Sequence, residues 1–390
     1  AGFARGGLPV APRSVTLTGW RVDERREYET TKRGEGKSTM STGFFWDERC
    51  FWHGGGNYAG MLPVGGLVQP MQGGLPESPE TKRRLKNLMD VTGLSSELVM
   101  QGAAPADRDD LRRVHPASYL DAFQAMSDAG GGEMGRRTPF GPGGYEIAAL
   151  SAGLAKAAVL AVLKGDLSNA YALSRPPGHH CLPDYPNGFC LLNNIGIAIE
   201  AARAAGLAKR FAVLDWDVHH GNGTEAVFYD RADVLTISVH QDRNYPMDSG
   251  DFADRGRGDG LGYNLNIPLP PGVGHKGYLA ALDRLALPAI RDFAPDVLII
   301  ACGYDAAAND PLGRMLATAE TFAMMTRRVM DTVDKIVMVH EGGYSETYVP
   351  FCGHAVLQEM SGSQICAPDP FAEVFPLRQP APHFDAYLDG

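Results

Sequence analysis

Along the chain, short apolar runs alternate with longer stretches in which apolar residues recur every three or four positions. NAYALS (169–174), FAVLDW (211–216), VLTISVH (234–240), VLIIAC (297–302) and IVMVH (336–340) are short runs, apolar or rich in β-branched residues, closed by polar or glycine-containing segments. They are predicted strands. Between them GLAKAAVLAVLKG (153–165), NNIGIAIEAARAAG (193–206), HKGYLAALDRLALPAIRDF (275–293) and TAETFAMMTRRVMDTVDK (318–335) carry apolar residues at helical spacing. Strands alternating with helices predict an α/β fold with a parallel sheet covered by helices on both sides. PLPPGVG and GPGG mark joins between elements.

The first 39 residues, rich in Gly and Arg, lack this periodicity and precede Met40. They read as a flexible arm, as sequence upstream of a natural start at Met40, or as an arm that docks on a neighbouring subunit. A single catalytic domain is expected over 40–375, with a tail at 376–390, because no Pro/Ser-rich linker or repeat divides the rest. At 390 residues and 44% hydrophobic content the chain can bury one large core.

A formal net charge of -10 disfavours nucleic acid as a partner, which needs a basic surface, and suits a cationic substrate better. Cys50, Cys181, Cys190, Cys302, Cys352 and Cys366 form no CxxC pair and several lie in apolar runs, so reduced core thiols are expected. No apolar stretch of membrane-spanning length and no secretory signal core is apparent, which makes the cytoplasm the expected location.

The chemistry sits where strands end. NAYALS runs into RPPGHH (175–180), FAVLDW into DVHHGNGT (217–224), VLIIAC into GYDAAANDP (303–311) and IVMVH into EGGYS (341–345). Parallel sheets bind ligands at the carboxyl ends of their strands, so these motifs are expected to share one crevice. Asp215, Asp217 and His219 fall at i, i+2 and i+4, and an extended backbone would turn all three to one side. Carboxylate and imidazole suit zinc, which takes bonds of about 2.0 Å to both and keeps a position open in catalytic sites. Asp305 is the natural third ligand. An isolated D-x-H is more readily a capping Asp or a satisfied buried His; DWDVHHGNG with a second carboxylate at a neighbouring strand end reverses that reading. His179 and His180 stand on a loop stiffened by prolines, where an imidazole can take a proton from water and return it to a leaving amine. Paired histidines alone could also be a surface accident or a second metal site. Tyr344 follows two glycines and can donate to a developing oxyanion; by itself EGGY is only a turn with an aromatic.

In order and spacing RPPGHH, DWDVHHGNGT, NGFC (187–190), GYDAAANDPLG and EGGY resemble the histone deacetylase superfamily, in its class II and bacterial histone deacetylase-like or acetylpolyamine amidohydrolase branch. The resemblance runs from about Met40 to Ser363 and includes ESPETKRR (77–84), RVHPASYL (113–120) and YVPFCGHAV (348–356). It implies the arginase/deacetylase fold, a single domain with a parallel sheet of about eight strands, and zinc-dependent hydrolysis of a linear amide. Under it Asp217, His219 and Asp305 are zinc ligands, His180 the general base and acid, His179 its electrostatic support, and Tyr344 the carbonyl-polarising group. Asp215 orients His179 and contributes to a structural potassium site with Asp217, His219, Ser238 and Val239. A second potassium site is implied around Phe228, Arg231, Val234 and Tyr263. Phe189 and Tyr245 would wall a channel for the acyl-amine stem, Gly188 would line it through its carbonyl, and Leu312 would stand at its rim.

Two departures bear on mechanism. Asn222 stands where class I enzymes carry Asp, so His180 would lack a full carboxylate partner and its pKa would rise less. Leu312 lacks the charge by which polyamine-selective eukaryotic relatives select a second ammonium. The expected substrate is an acyl-lysine, an acetylpolyamine, or a small metabolite or xenobiotic amide, and relatives suggest a dimer or tetramer. A catalytically silent acyl-binding protein would have lost a ligand or the tyrosine. An arginase-like ureohydrolase with two manganese ions would need more bridging ligands than these motifs supply.

Overall fold

The computed structural model describes residues 41–380 apart from 55–57, 60–61 and 72–74; the expected N-terminal arm and residues 381–390 of the expected tail lie outside the described residues. The predicted strands are all present: β3 (Asn169–Ala172), β4 (Phe211–Asp215), β5 (Val234–Gln241), β7 (Val297–Cys302) and β8 (Ile336–His340). β1 (Thr42–Phe45), β2 (Val99–Gln101) and β6 (Asn264–Leu269) complete an eight-stranded sheet in the order β6-β5-β4-β7-β8-β3-β1-β2. Every neighbouring pair is parallel. Central strands such as VLIIAC are buried along their whole length, as expected when helices cover both faces and no polar alternation is required.

Helices Gly144–Lys164, Asn194–Ala204, Ala319–Met330 and Val349–Ser361 form the outer layers. Gly144–Lys164 does reach membrane-spanning length and apolarity, contrary to the expectation from sequence, but 67% of its apolar window is buried inside the protein. Residues 275–293 are not one regular helix. His275–Ala281 widens into a π-turn at Leu282–Ala286 before Leu287–Phe293 resumes. Pro288 supplies no N–H to the preceding turn and its ring crowds the carbonyl four residues back, so the helix opens there. All six cysteines are free; Cys366 is exposed, and the other five are buried as expected. At the described start of the expected tail, Gln379 accepts from His275 N at 2.9 Å and donates to Leu316 O at 3.0 Å, which ties the segment to the domain.

Beneath the RPPGHH loop lies a buried charge cluster. Arg175 meets Glu77 through Nε at 3.0 Å and Nη2 at 3.0 Å, and donates from Nη1 to Cys50 O and His53 O. Lys82 Nζ shares the same carboxylate at 3.3 Å, and all three side chains are at most 3% exposed. Burial opposes ionisation of Glu77, but Arg175 and Lys82 outweigh it and lower its pKa. Removing the one anion would strand two buried cations. Glu77→Ala is therefore expected to cost about 3–5 kcal/mol of stability, readable by chemical denaturation; a loss below about 1 kcal/mol, the range of exposed ion pairs, would contradict it.

Buried neutral histidines contribute to the acid limb of stability. Burial lowers His53 to about 3, His115 to about 4 and His240 to about 3 from an ordinary 6.5. A folded pKa below the unfolded one means stability that is complete above pH 6.5 and is lost as pH falls toward 4, because the unfolded chain takes up protons that the folded chain refuses. The denaturation midpoint should drop between pH 7 and pH 5. An unchanged midpoint would show that these rings do not gate stability.

Candidate active site

β4, β7, β8 and β3 are consecutive in the sheet, so the four polar motifs leave four adjacent strands at the same edge. Crossovers place them side by side although they are far apart in the chain. The expectation of one shared crevice is met.

Asp217, His219 and Asp305 converge there, one ligand atom from each lying within 4.8 Å of the others. His219 Nδ1 stands 3.0 Å from Asp217 Oδ1 and 3.1 Å from Asp305 Oδ2. Both carboxylates are fully buried. Burial opposes charge on His219, yet the two carboxylates raise its pKa to about 10. The site thus demands positive charge. Asp305 Oδ2 accepts no hydrogen bond, and burial, reinforced by Asp217, lifts its carboxyl to about 6. Two carboxylates and an imidazole, one oxygen left over, fit a divalent cation better than a proton. The glycines of EGGY make room: a Cβ on Gly342 would collide with Asp305 Oδ2 and lie 2.6 Å from Asp217 Oδ2.

Asp215 does not join this cluster, so the expectation of three side chains turned one way is corrected. The backbone bends directly after β4: Asp215 Oδ1 accepts from Asp217 N at 3.0 Å, and its Oδ2 turns to His179 Nδ1 at 2.8 Å. The carboxylate orients His179, the role implied by resemblance. His180 Nδ1 lies 2.8 Å from Asn222 Oδ1, and its ring lies 3.9 Å from that of His179, tilted by 39°. Burial, then the cationic His179 and His219, keep His180 well below the ordinary imidazole range. His179 moves the other way, raised by Asp217 and Asp215 against the cost of burial.

A cavity of about 450 Å³ leads to this floor, lined by His180, His219, Gly188, Phe189, Tyr245 and Tyr344, with Leu312 also on its wall. Phe189 meets Tyr344 edge to face at 5.8 Å, and Tyr245 stands 5.0 Å from His180 and 6.1 Å from His219. Gly188 has φ +50, and a Cβ there would lie 2.8 Å from the Tyr245 ring. Burial and the nearby carboxylates Asp305, Asp217 and Asp310 push the Tyr344 phenol well above its usual pKa, so it stays protonated.

Among the other expected residues, Ser238 pairs with Asp215 in the β4–β5 register and lies beside a chamber of about 10 Å³ that Asp215 also lines. Val239 follows on the same strand. Phe228 ends the helix Asn222–Phe228 and Val234 opens β5; the carbonyl of Phe228 already accepts from Arg231 N, and that of Tyr263 from Thr236 N, each at 3.0 Å.

Three contributors escaped the sequence reading. Glu341 Oε2 accepts from Gly178 N at 2.6 Å and His179 N at 3.1 Å, clamping the histidine loop; its motif was noticed only for the tyrosine. Asp310 accepts from Tyr344 N at 2.7 Å and Leu312 N at 2.8 Å, and nothing local in NDPL signals a partner 34 residues away. The Glu133–Pro139 segment supplies Glu133, Arg137 and Pro139 to the cavity.

The chain is similar to known proteins over most of its length. The histone deacetylase domain matches residues 75–360. The chain is 55% identical over 348 residues to a histone deacetylase-like amidohydrolase of Pseudomonas aeruginosa, covering 88% of this chain and 92% of that one. It is 37% identical over 303 residues to a probable deacetylase of Archaeoglobus fulgidus, covering 75% and 84%. The crystal structure of the HDA15 HD domain superposes with a TM-score of 0.77 at 32% identity, covering 84% of this chain and 92% of that one. The chain belongs to the histone deacetylase family and has its arginase/deacetylase fold. It is a hydrolase acting on amides.

Asp310 gives a test of the site's support. Asp310→Ala frees the loop that aims Tyr344 and is expected to lower turnover about 10 to 100-fold, since small displacements of a positioned group cost that much. Wild-type turnover in the variant would show that the loop is held by other contacts.

Proposed function

We propose that the protein removes an acyl group from an amine by zinc-dependent hydrolysis, with Asp217, His219 and Asp305 holding one zinc ion. The convergence of those three side chains on the floor of the cavity walled by His180 and Tyr344 carries the reading. Zinc held there supplies Lewis acidity, lowering the pKa of a water and polarising a carbonyl. His180, its Nδ1 engaged by Asn222, has Nε2 free to take a proton from the attacking water and deliver it to the leaving amine. His179, fixed by Asp215, adds positive charge beside it. Tyr344 donates its phenolic proton in a hydrogen bond to the oxygen that becomes negative. Phe189 and Tyr245 grip the stem of the acylated amine, and Leu312 borders its exit.

The substrate is an acyl-lysine, an acetylpolyamine or a small amide. Potassium beside Asp215 and Ser238 would brace the loop that carries Asp217 and His219, with the set around Phe228, Arg231, Val234 and Tyr263 as a second position. The test is a panel of acetyl-lysine peptide, acetylputrescine, trifluoroacetyl-lysine, and aryl and alkyl amides, assayed against zinc content. Hydrolysis of at least one substrate in proportion to bound zinc is expected. Full activity after exhaustive chelation, or two bridged metals per chain, would overturn the proposal.

A further inference from the structure

The mouth of the cavity carries cationic side chains that the reaction does not use. Arg136 and Arg137 stand on a loop after the short strand Gly132–Glu133, and both side chains are exposed. Three backbone hydrogen bonds fix this loop to the channel wall: Arg136 N to Pro186 O at 3.3 Å, Gly188 N to Arg136 O at 3.0 Å, and Phe189 N to Arg137 O at 2.9 Å. Arg137 and Phe189 both adopt left-handed backbone, at φ 59 and 67, and the hydrogen bond between them ties the arginine's backbone to the wall. The guanidinium carbons of Arg136 and Arg137 lie 5.7 and 5.6 Å from the centre of the Tyr245 ring, which meets His219 at 6.1 Å. Both cations therefore stand one aromatic ring away from the catalytic floor.

Neither arginine has a carboxylate within ion-pair distance among the described residues. The acid that shares the cavity, Glu133, keeps its charge but turns Oε1 to Thr138 N at 3.3 Å and makes no ion pair with either arginine. Unpaired guanidinium groups held at fixed positions are suited to recognising an anion. The whole-chain charge of -10 points the other way, but at physiological salt charges farther away than about 8 Å are largely screened. The local pair decides.

Resting on the amide-hydrolase reading, we infer that Arg137, assisted by Arg136, selects acylated amines whose far end is anionic, such as a carboxylate, and disfavours those ending in an ammonium, as acetylpolyamines do. Both arginines are specificity-determining residues and take no part in the proton transfers. The probes are 6-acetamidohexanoate, 6-acetamidohexanamide and N-acetylcadaverine, which share one spacer and differ in terminal charge. On the zinc-loaded wild-type protein kcat/KM should rank anionic, neutral, cationic, with about tenfold between the extremes at low salt, narrowing as salt is added. Arg137→Gln should shrink that ratio, Arg137→Glu should invert it, and Arg137→Lys should restore part of it. Hydroxamates with the same three termini, titrated by calorimetry, read the preference without turnover. Equal kcat/KM and equal affinity across the series in the wild type, or ratios unmoved in the Gln and Glu variants, would overturn the inference. If neither these probes nor the panel substrates are hydrolysed while the anionic hydroxamate still binds tightest, the hydrolytic reading fails and the anion site stands.

Discussion

Tyr344→Phe should keep its metal and its fold while losing about 100 to 1000-fold in turnover, the usual cost of one oxyanion donor. The phenol stands over the cavity floor, with its ring edge to face against Phe189 and 6.3 Å from His219. Phenylalanine preserves both ring contacts and removes only the hydroxyl. Because the pKa of this phenol is raised, a protonated donor is available throughout the neutral range. Zinc content, thermal midpoint and turnover on the best substrate measure the three consequences separately. Near-wild-type turnover with zinc retained would reject the assignment of Tyr344; metal loss in the variant would mean that the hydroxyl supports the metal ligands instead.

Asp217→Ala should abolish both metal binding and hydrolysis. Its carboxylate is central to the floor: Oδ1 lies 3.0 Å from His219 Nδ1 and accepts from His219 N at 2.9 Å, while Oδ2 accepts from Gly342 N at 2.8 Å. Removing it takes away one of the three proposed ligands and unpins both the His219 bend and the EGGY loop. Purified wild-type protein should hold about one zinc per chain, and the variant essentially none, measured by elemental analysis. A variant that retains stoichiometric zinc and turns over substrate would show that Asp217 is structural.

Much of this site was legible because the pattern that encodes it is local. A short apolar run closed by RPPGHH, DVHHGNGT or EGGY reports a buried strand and a polar exit within about ten residues, and burial on both faces demands that pattern wherever it occurs. Spacing put Asp217 and His219 on one side of the chain but wrongly grouped Asp215 with them. Resemblance, not periodicity, supplied the roles of Asn222, Phe189 and Leu312. β1, β2 and β6 were missed because TGFF, VMQ and NLNIPL are short or broken by polar and proline positions, and the sheet stabilises them from outside.

Spatial order is what only the tertiary structure decided. The chain visits β3, β4, β7 and β8 in that sequence, whereas the sheet sets them as β4-β7-β8-β3, and no local signal specifies which strand pairs with which. Features that no motif announced follow from that packing: Asp310 holding Tyr344, Glu77 pairing with Arg175, and Arg137 on the wall that Phe189 forms. Each joins residues distant in sequence through one or a few hydrogen bonds or ion pairs. Such contacts leave no periodicity, because they arise from the closeness of packed elements and not from the conformational preference of either one.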